Sequence, residues 1–141
     1  MEKKSLIAIF FIILMVFSTF TFISFRTTEK NKINLPEKNI VDYELGPEKE
    51  MFLIENGKTI IKYYYQKNCI ECREQINFLE EIANRFPDQI FLQEVLENYT
   101  SLTIKSYRGE KKIKNITKDV VFDVVCDLIV KPPVACIVRK V

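Results

Sequence analysis

The sequence predicts an α/β domain built around a parallel strand-helix-strand core, carried behind a single N-terminal transmembrane helix. Three stretches predict it. Thr59 to Tyr65, TIIKYYY, is dense in β-branched and aromatic residues and almost continuously apolar, as a central strand buried on both faces requires. After it, Ile76, Leu79, Ala83 and Phe86 recur at helical spacing until Pro87 stops them, and Gln89 to Leu96, QIFLQEVL, reads as the next strand. A strand, a long helix and a second strand imply a right-handed parallel unit. At the N-terminus, Leu6 to Phe25 carries no charge, and a helix of about 20 residues crosses the hydrocarbon core of a bilayer.

Lys3 and Lys4 ahead of that span also suit a cleaved signal peptide, but the apolar run is longer than usual for one and no small-residue cleavage site follows. An uncleaved anchor over residues 1–25 is therefore expected. Arg26, Lys30, Lys32 and Lys38 lie on the other flank, so charge counting alone places that flank inside. Two Asn-x-Thr acceptor patterns, at Asn98 and Asn115, and an even number of cysteines argue the other way. The expectation adopted is a single-pass membrane protein with its C-terminal domain outside the cytoplasm.

Residues 26–39 are polar, charged and interrupted by Pro36, which reads as a juxtamembrane linker, and the folded domain is expected over 40–141. Ile40 to Leu45 is expected as a short strand. Pro47 to Asn56 is either a helix stopped at Gly57 or the first arm of a hairpin turning at Asn56-Gly57. Ser101 to Tyr107 is expected as a strand, 108–115 as a charged turn and Lys118 to Ile129 as a helix capped by Thr117. Lys131-Pro132-Pro133 ends that helix, and Val134 to Arg139 reads as the last strand.

Composition narrows the chemistry. Net charge is only +2, so no nucleic-acid partner is expected, and the Lys111, Lys112 and Lys114 cluster reads as a solvated loop. Histidine is absent, which removes imidazole bases, Cys-His pairs and every His ligand for a metal. No cofactor is expected, and the chemistry falls to cysteine, lysine, tyrosine and carboxylates.

Cys69 and Cys72 form a Cys-x-x-Cys placed after the buried strand and at the first turn of the long helix. Unpaired N–H groups and the positive end of the helix dipole stabilise a thiolate there. Cys69, at the exposed tip, is the candidate nucleophile, and Cys72, nearer the helix body, the candidate resolving thiol. Two other readings stay open for the pair: a static disulfide in an interaction module, and part of a soft-metal site. Cys126 and Cys136 form a second pair, read as a structural disulfide in an oxidising compartment or as two buried thiols; a thiol relay to the first pair is a third reading.

Together, IIKYYYQKNCIEC, the helix after it, QIFLQEV and KPPVACI resemble the thioredoxin-like fold over roughly residues 40 to 140. The resemblance implies a three-layer sandwich with a central mixed sheet, a helix ending at ENGK, and thiol-disulfide exchange with protein substrates and a redox partner protein. It also implies that Pro133, directly before Val134, is the cis-proline that leads a strand and faces the cysteines. This sequence departs from the family at several positions. Asn68 stands where Trp is common, Ile70-Glu71 separates the cysteines, and Tyr63 replaces the buried acid six positions before the first cysteine. Glu71 is expected to disfavour the Cys69 thiolate and Lys67 to favour it, giving a less oxidising couple than one with His between the cysteines. The family adds an antiparallel edge strand and a closing helix after the proline-led strand. Here the sequence ends at Val141, so both are expected to be missing or replaced, with residues 98–116 or a partner supplying the missing strand.

Overall fold

The computed structural model describes residues 13–15 and 33–138. Ile13 to Met15 are helical; the rest of the expected span Leu6 to Phe25, and the linker up to residue 32, lie outside the described residues. Among the described residues no helix is long and apolar enough to cross a membrane. The chain divides into two compact units, Met1–Asn34 and Leu35–Val141, and the second contains the elements below.

In chain order these are β1 (Ile40–Val41), α1 (Pro47–Glu55), β2 (Thr59–Tyr65), α2 (Ile70–Arg85), β3 (Ile90–Leu96), β4 (Ser101–Ser106), β5 (Gly109–Ile113), α3 (Lys118–Leu128) and α4 (Val134–Val138). The strands form one sheet in the order β1-β3-β2-β4-β5. β2 pairs with β3 in parallel along its whole length, from Thr59 opposite Ile90 to Tyr65 opposite Leu96. β4 runs antiparallel to β2, and β5 antiparallel to β4. A mixed sheet with β2 at its centre is thus the scaffold that presents the segment after Tyr65.

Strand alternation separates two cores. Ile61 and Tyr63 of β2 pack with Leu79, Ile82 and Ala83 of α2 and with Val121 and Val125 of α3. Ile60 faces the other way, with Phe91 of β3 and Leu53 and Ile54 of α1. Three layers result. On the α1 side β2 also carries Lys62, whose ammonium lies 2.6 Å from Glu50 Oε1 and 3.0 Å from Glu44 Oε1. Gln93 donates to Glu50 at 3.2 Å and accepts from Leu45 N–H at 2.8 Å, so the buried Glu50 carboxylate is partnered. Burial of Lys62 by itself would lower its pKa, but the hydrogen bonds to Glu50 and Glu44 outweigh it and the pKa is raised.

For residues 47 to 58 the helix wins over the hairpin. Pro47 occupies the first turn. At the other end Gly57 takes φ +80, Gly57 N–H donates to Ile54 O and Lys58 N–H to Leu53 O. That pair of bonds is a Schellman closure, which satisfies two of the last helical carbonyls and needs a residue that tolerates positive φ.

Three expectations are corrected. β1 spans two residues only, because Leu45 leaves the ladder to bond the Gln93 side chain. The charged turn 108–115 contains a strand, β5, whose Glu110, Lys111 and Lys112 suit an exposed sheet edge, where charge discourages further pairing. One expected alternative holds: residues 98–116 supply antiparallel strands, as β4 and β5, and the helix α3 packs on the sheet after them, all ahead of the prolines. Val134 to Val138 is a helix, not a strand. The sheet position beside β2 is already filled by β4, and Cys136 N–H donates to Pro133 O to close a helical turn instead.

Candidate active site

β2 ends at Tyr65, a short turn follows, and α2 begins at Ile70 with Cys69 as its N-cap. The Cys69 sulfur accepts a hydrogen bond from Cys72 N–H at 3.1 Å, so one of the helix's orphan donors is aimed at the sulfur. Cys69 and Cys72 form a disulfide with Cα atoms 5.2 Å apart. The two sulfurs are not equivalent. Cys72 is 1% exposed, whereas Cys69 is partly exposed and lines a cleft of about 650 Å³.

One side of the site comes from the four residues joining β3 to β4, of which Tyr99 and Thr100 line the cleft. Because β2 lies between those two strands, residues 97–100 must cross its end. Glu97 N–H donates to Tyr65 O at 2.8 Å, the Gln66 side-chain amide donates to Asn98 O, and the Tyr64 and Tyr99 rings sit 5.4 Å apart. This crossing sets Thr100 Oγ1 3.7 Å from Cys72 Sγ. The residue that leads the antiparallel strand and faces the cysteines is therefore Thr100.

Pro133 does not hold that place. It precedes the helix α4, and no cis peptide bond occurs among the described residues. Its environment is set by the second pair: Cys126 on α3 and Cys136 on α4 form a disulfide with Cα atoms 5.3 Å apart, both sulfurs buried. Glu71 is exposed on the rim of the Cys69 cleft, and Lys67 is exposed in a neighbouring groove with Asn68, Leu96 and Glu97. Among the described residues no three His, Cys, Asp or Glu side chains converge as an ion site.

Tyr63 is fully buried, and its hydroxyl donates to Gln75 Oε1 of α2. Gln75 in turn donates to Ile116 O at 3.4 Å and lines the cleft. Burial, followed by the charge of Glu94 and the nearby Tyr65, pushes the Tyr63 phenol up to about 12. It is therefore a neutral donor at physiological pH and cannot accept a proton from Cys72.

Glu94, opposite Tyr63 on β3, is half-buried; burial first, then Glu80 and Asp42, push its carboxyl up to about 7. Its Oε1 has no hydrogen-bond partner among the described residues. Between the unfolded value of 4.5 and about 7 the folded chain holds the extra proton, so this contribution to stability is full below 4.5 and lost as pH rises through 7. Glu94→Gln, neutral throughout, is expected to stabilise the fold at pH 8 by about 1 kcal/mol, after discounting for partial exposure, and to give no gain at pH 4. Urea midpoints at the two pH values check this; equal midpoints at pH 8 would refute it.

Of the residues expected from sequence, the structure brings Cys69, Cys72 and Glu71 together and leaves Lys67 at the edge. Thr100, Tyr99, Gln75, Lys112 and Lys114 were missed as site residues. Thr100 had a signal, since it directly precedes the SLTIKSY strand, but Asn98-Tyr99-Thr100 reads first as an acceptor pattern. Lys112 and Lys114 reach the cleft only because β5 forms.

No protein-family model and no curated protein matches the chain. Among solved structures it is similar to the germline-specific thioredoxin Deadhead of Drosophila melanogaster, at 9% identity and a TM-score of 0.47, covering 57% of this chain and 90% of that one. It is also similar to Fasciola hepatica thioredoxin (14% identity, TM-score 0.44, 54% and 86% covered) and to a chloroplastic thioredoxin z (10%, 0.46, 65% and 94%). Likenesses this distant carry no chemistry across. What fits a thioredoxin-like fold is the five-stranded mixed sheet with helices on both faces and a disulfide at the tip of α2.

Proposed function

We propose that the chain is a thiol-disulfide oxidoreductase acting on protein thiols or disulfides, with Cys69 as the attacked and attacking sulfur and Cys72 as the resolving one. The observation that carries this reading is the asymmetry of the pair: one disulfide at a helix N-terminus, with Cys69 opening on a cleft and Cys72 sealed behind it. In the oxidising direction a substrate thiolate attacks Cys69 Sγ, a mixed disulfide forms, the Cys69–Cys72 bond breaks and its electron pair leaves on Cys72. A second substrate thiolate then attacks the substrate's own sulfur in the mixed disulfide and expels Cys69. The protein has gained two electrons and the substrate holds the new disulfide. Run in reverse, the Cys69 thiolate opens a substrate disulfide and Cys72 displaces the substrate. Thr100, 3.7 Å from Cys72 Sγ, is placed to donate its hydroxyl to the thiolate formed there.

The same proposal includes tethering by Leu6 to Phe25 and an extracytoplasmic domain with a redox partner protein. Its support is the uncharged span in the sequence and the Cys126–Cys136 disulfide, a structural bond of the kind that persists in an oxidising compartment. Equilibration of the full-length protein in graded glutathione buffers, with free thiols trapped by alkylation, tests the activity. The Cys69–Cys72 pair should titrate within the glutathione range while Cys126–Cys136 stays oxidised. A Cys69–Cys72 pair that opens only in strong reductant would mark a static bond and favour the interaction-module reading.

A further inference from the structure

β5 and the turn after it form the wall of the cleft that faces Cys69. Lys112 and Lys114 line this wall, on either side of the buried Ile113. The neighbouring lysines are neutralised: Lys105 pairs with Glu110, Lys111 with Asp127 and Lys118 with Glu81. Lys112 and Lys114 form no ion pair among the described residues, and the only carboxylate lining the cleft is Glu71, on the α2 side. The cleft thus carries two uncompensated cations across from its one acid, beside the sulfur that meets the substrate. Tyr99, half-exposed, and Ile70, 91% exposed between the two cysteines, add apolar surface at the same tip. Exposed charges of one sign at an open site select partners by steering and by penalising like charge.

We infer that the cleft takes an extended polypeptide whose reacting cysteine is flanked by acidic residues, which Lys112 and Lys114 engage. This rests on the oxidoreductase reading above and adds a substrate class to it. Each residue of an extended chain advances the next by about 3.3 Å, so one or two positions beyond the cysteine lie within reach of a wall lysine.

The test uses full-length Cys72→Ser protein, in which Cys69 is the free thiol, and synthetic cysteine peptides activated as 2-pyridyl disulfides. Cys69 thiolate attacks the peptide sulfur, forming the protein-peptide disulfide and releasing 2-thiopyridone, whose absorbance gives the rate. Peptides with Glu on both sides of the cysteine are expected to react about 5- to 10-fold faster than Lys-flanked ones at low salt, the ratio falling towards one in high salt. Lys112→Glu/Lys114→Glu should invert the ratio. An uncharged reagent, 2,2′-dithiodipyridine, separates the two levels. If Cys69 reacts with it but the peptide ratio is one, the substrate class is wrong and the oxidoreductase reading stands. If Cys69 does not react with it at all, both fall. A ratio that persists unchanged in the double variant also overturns the assignment to these lysines.

Discussion

Cys72→Ser full-length protein expressed in cells and alkylated at harvest is expected to run on non-reducing gels as mixed disulfides that collapse to the monomer on reduction. Cys69→Ser, and Cys69→Ser/Cys72→Ser, should show none. Only Cys69 opens on the cleft, so only it can join a macromolecular sulfur, and the buried Cys72 is the group that would release the adduct. With a hydroxyl in place of the Cys72 thiol, resolution fails and the adduct persists. Replacing Cys69 itself removes the attacking sulfur, and exchange should fall by roughly two orders of magnitude or more, since serine does not ionise usefully at neutral pH. Adducts of equal abundance in Cys69→Ser protein would assign them to another cysteine, and a complete lack of adducts in Cys72→Ser protein would count against catalysis.

The second large effect is expected from the pair the proposed chemistry does not use. Cys126→Ala/Cys136→Ala opens a loop of sequence separation 10, which by chain-entropy reasoning costs about 2–3 kcal/mol. The cost should fall on a defined place. α4 has five residues, with Val134, Ile137 and Val138 largely exposed and Cys136 its buried residue, and a helix this short does not persist unaided. The urea midpoint should drop, and amide exchange should accelerate at residues 134–138 while the β2 and β3 amides stay protected. If the midpoint is unchanged, the disulfide is not a stabilising clasp.

The two experiments separate function from stability, and so do the residues that made them foreseeable. The β2-α2-β3 unit was legible because its pattern is self-contained: an apolar strand, an amphipathic helix stopped before Pro87, and another apolar strand, each burying the next. The placement of Cys69 and Cys72 followed from that unit. The end of helix α1 was legible only as one of two possibilities, since Asn56-Gly57 suits both a Schellman closure and a hairpin turn. β5 was not legible, because Gly-Glu-Lys-Lys has no strand propensity and becomes a strand only when β4 offers it an edge. KPPVACIV misled in the opposite sense: its β-branched residues suit a strand, but β4 fills the place beside β2, and the segment turns as a helix tied to Cys126.

The sequence by itself determined the central layer and the position of the two cysteines, because local periodicity and a helix start are written in consecutive residues. Only the tertiary structure decided what surrounds those cysteines. Thr100 faces Cys72 because a four-residue connection has to cross the end of β2, and Lys112 and Lys114 border Cys69 because β5 pairs with β4. Those neighbours are set by strand order, a property of contacts distant in sequence, which no local pattern encodes.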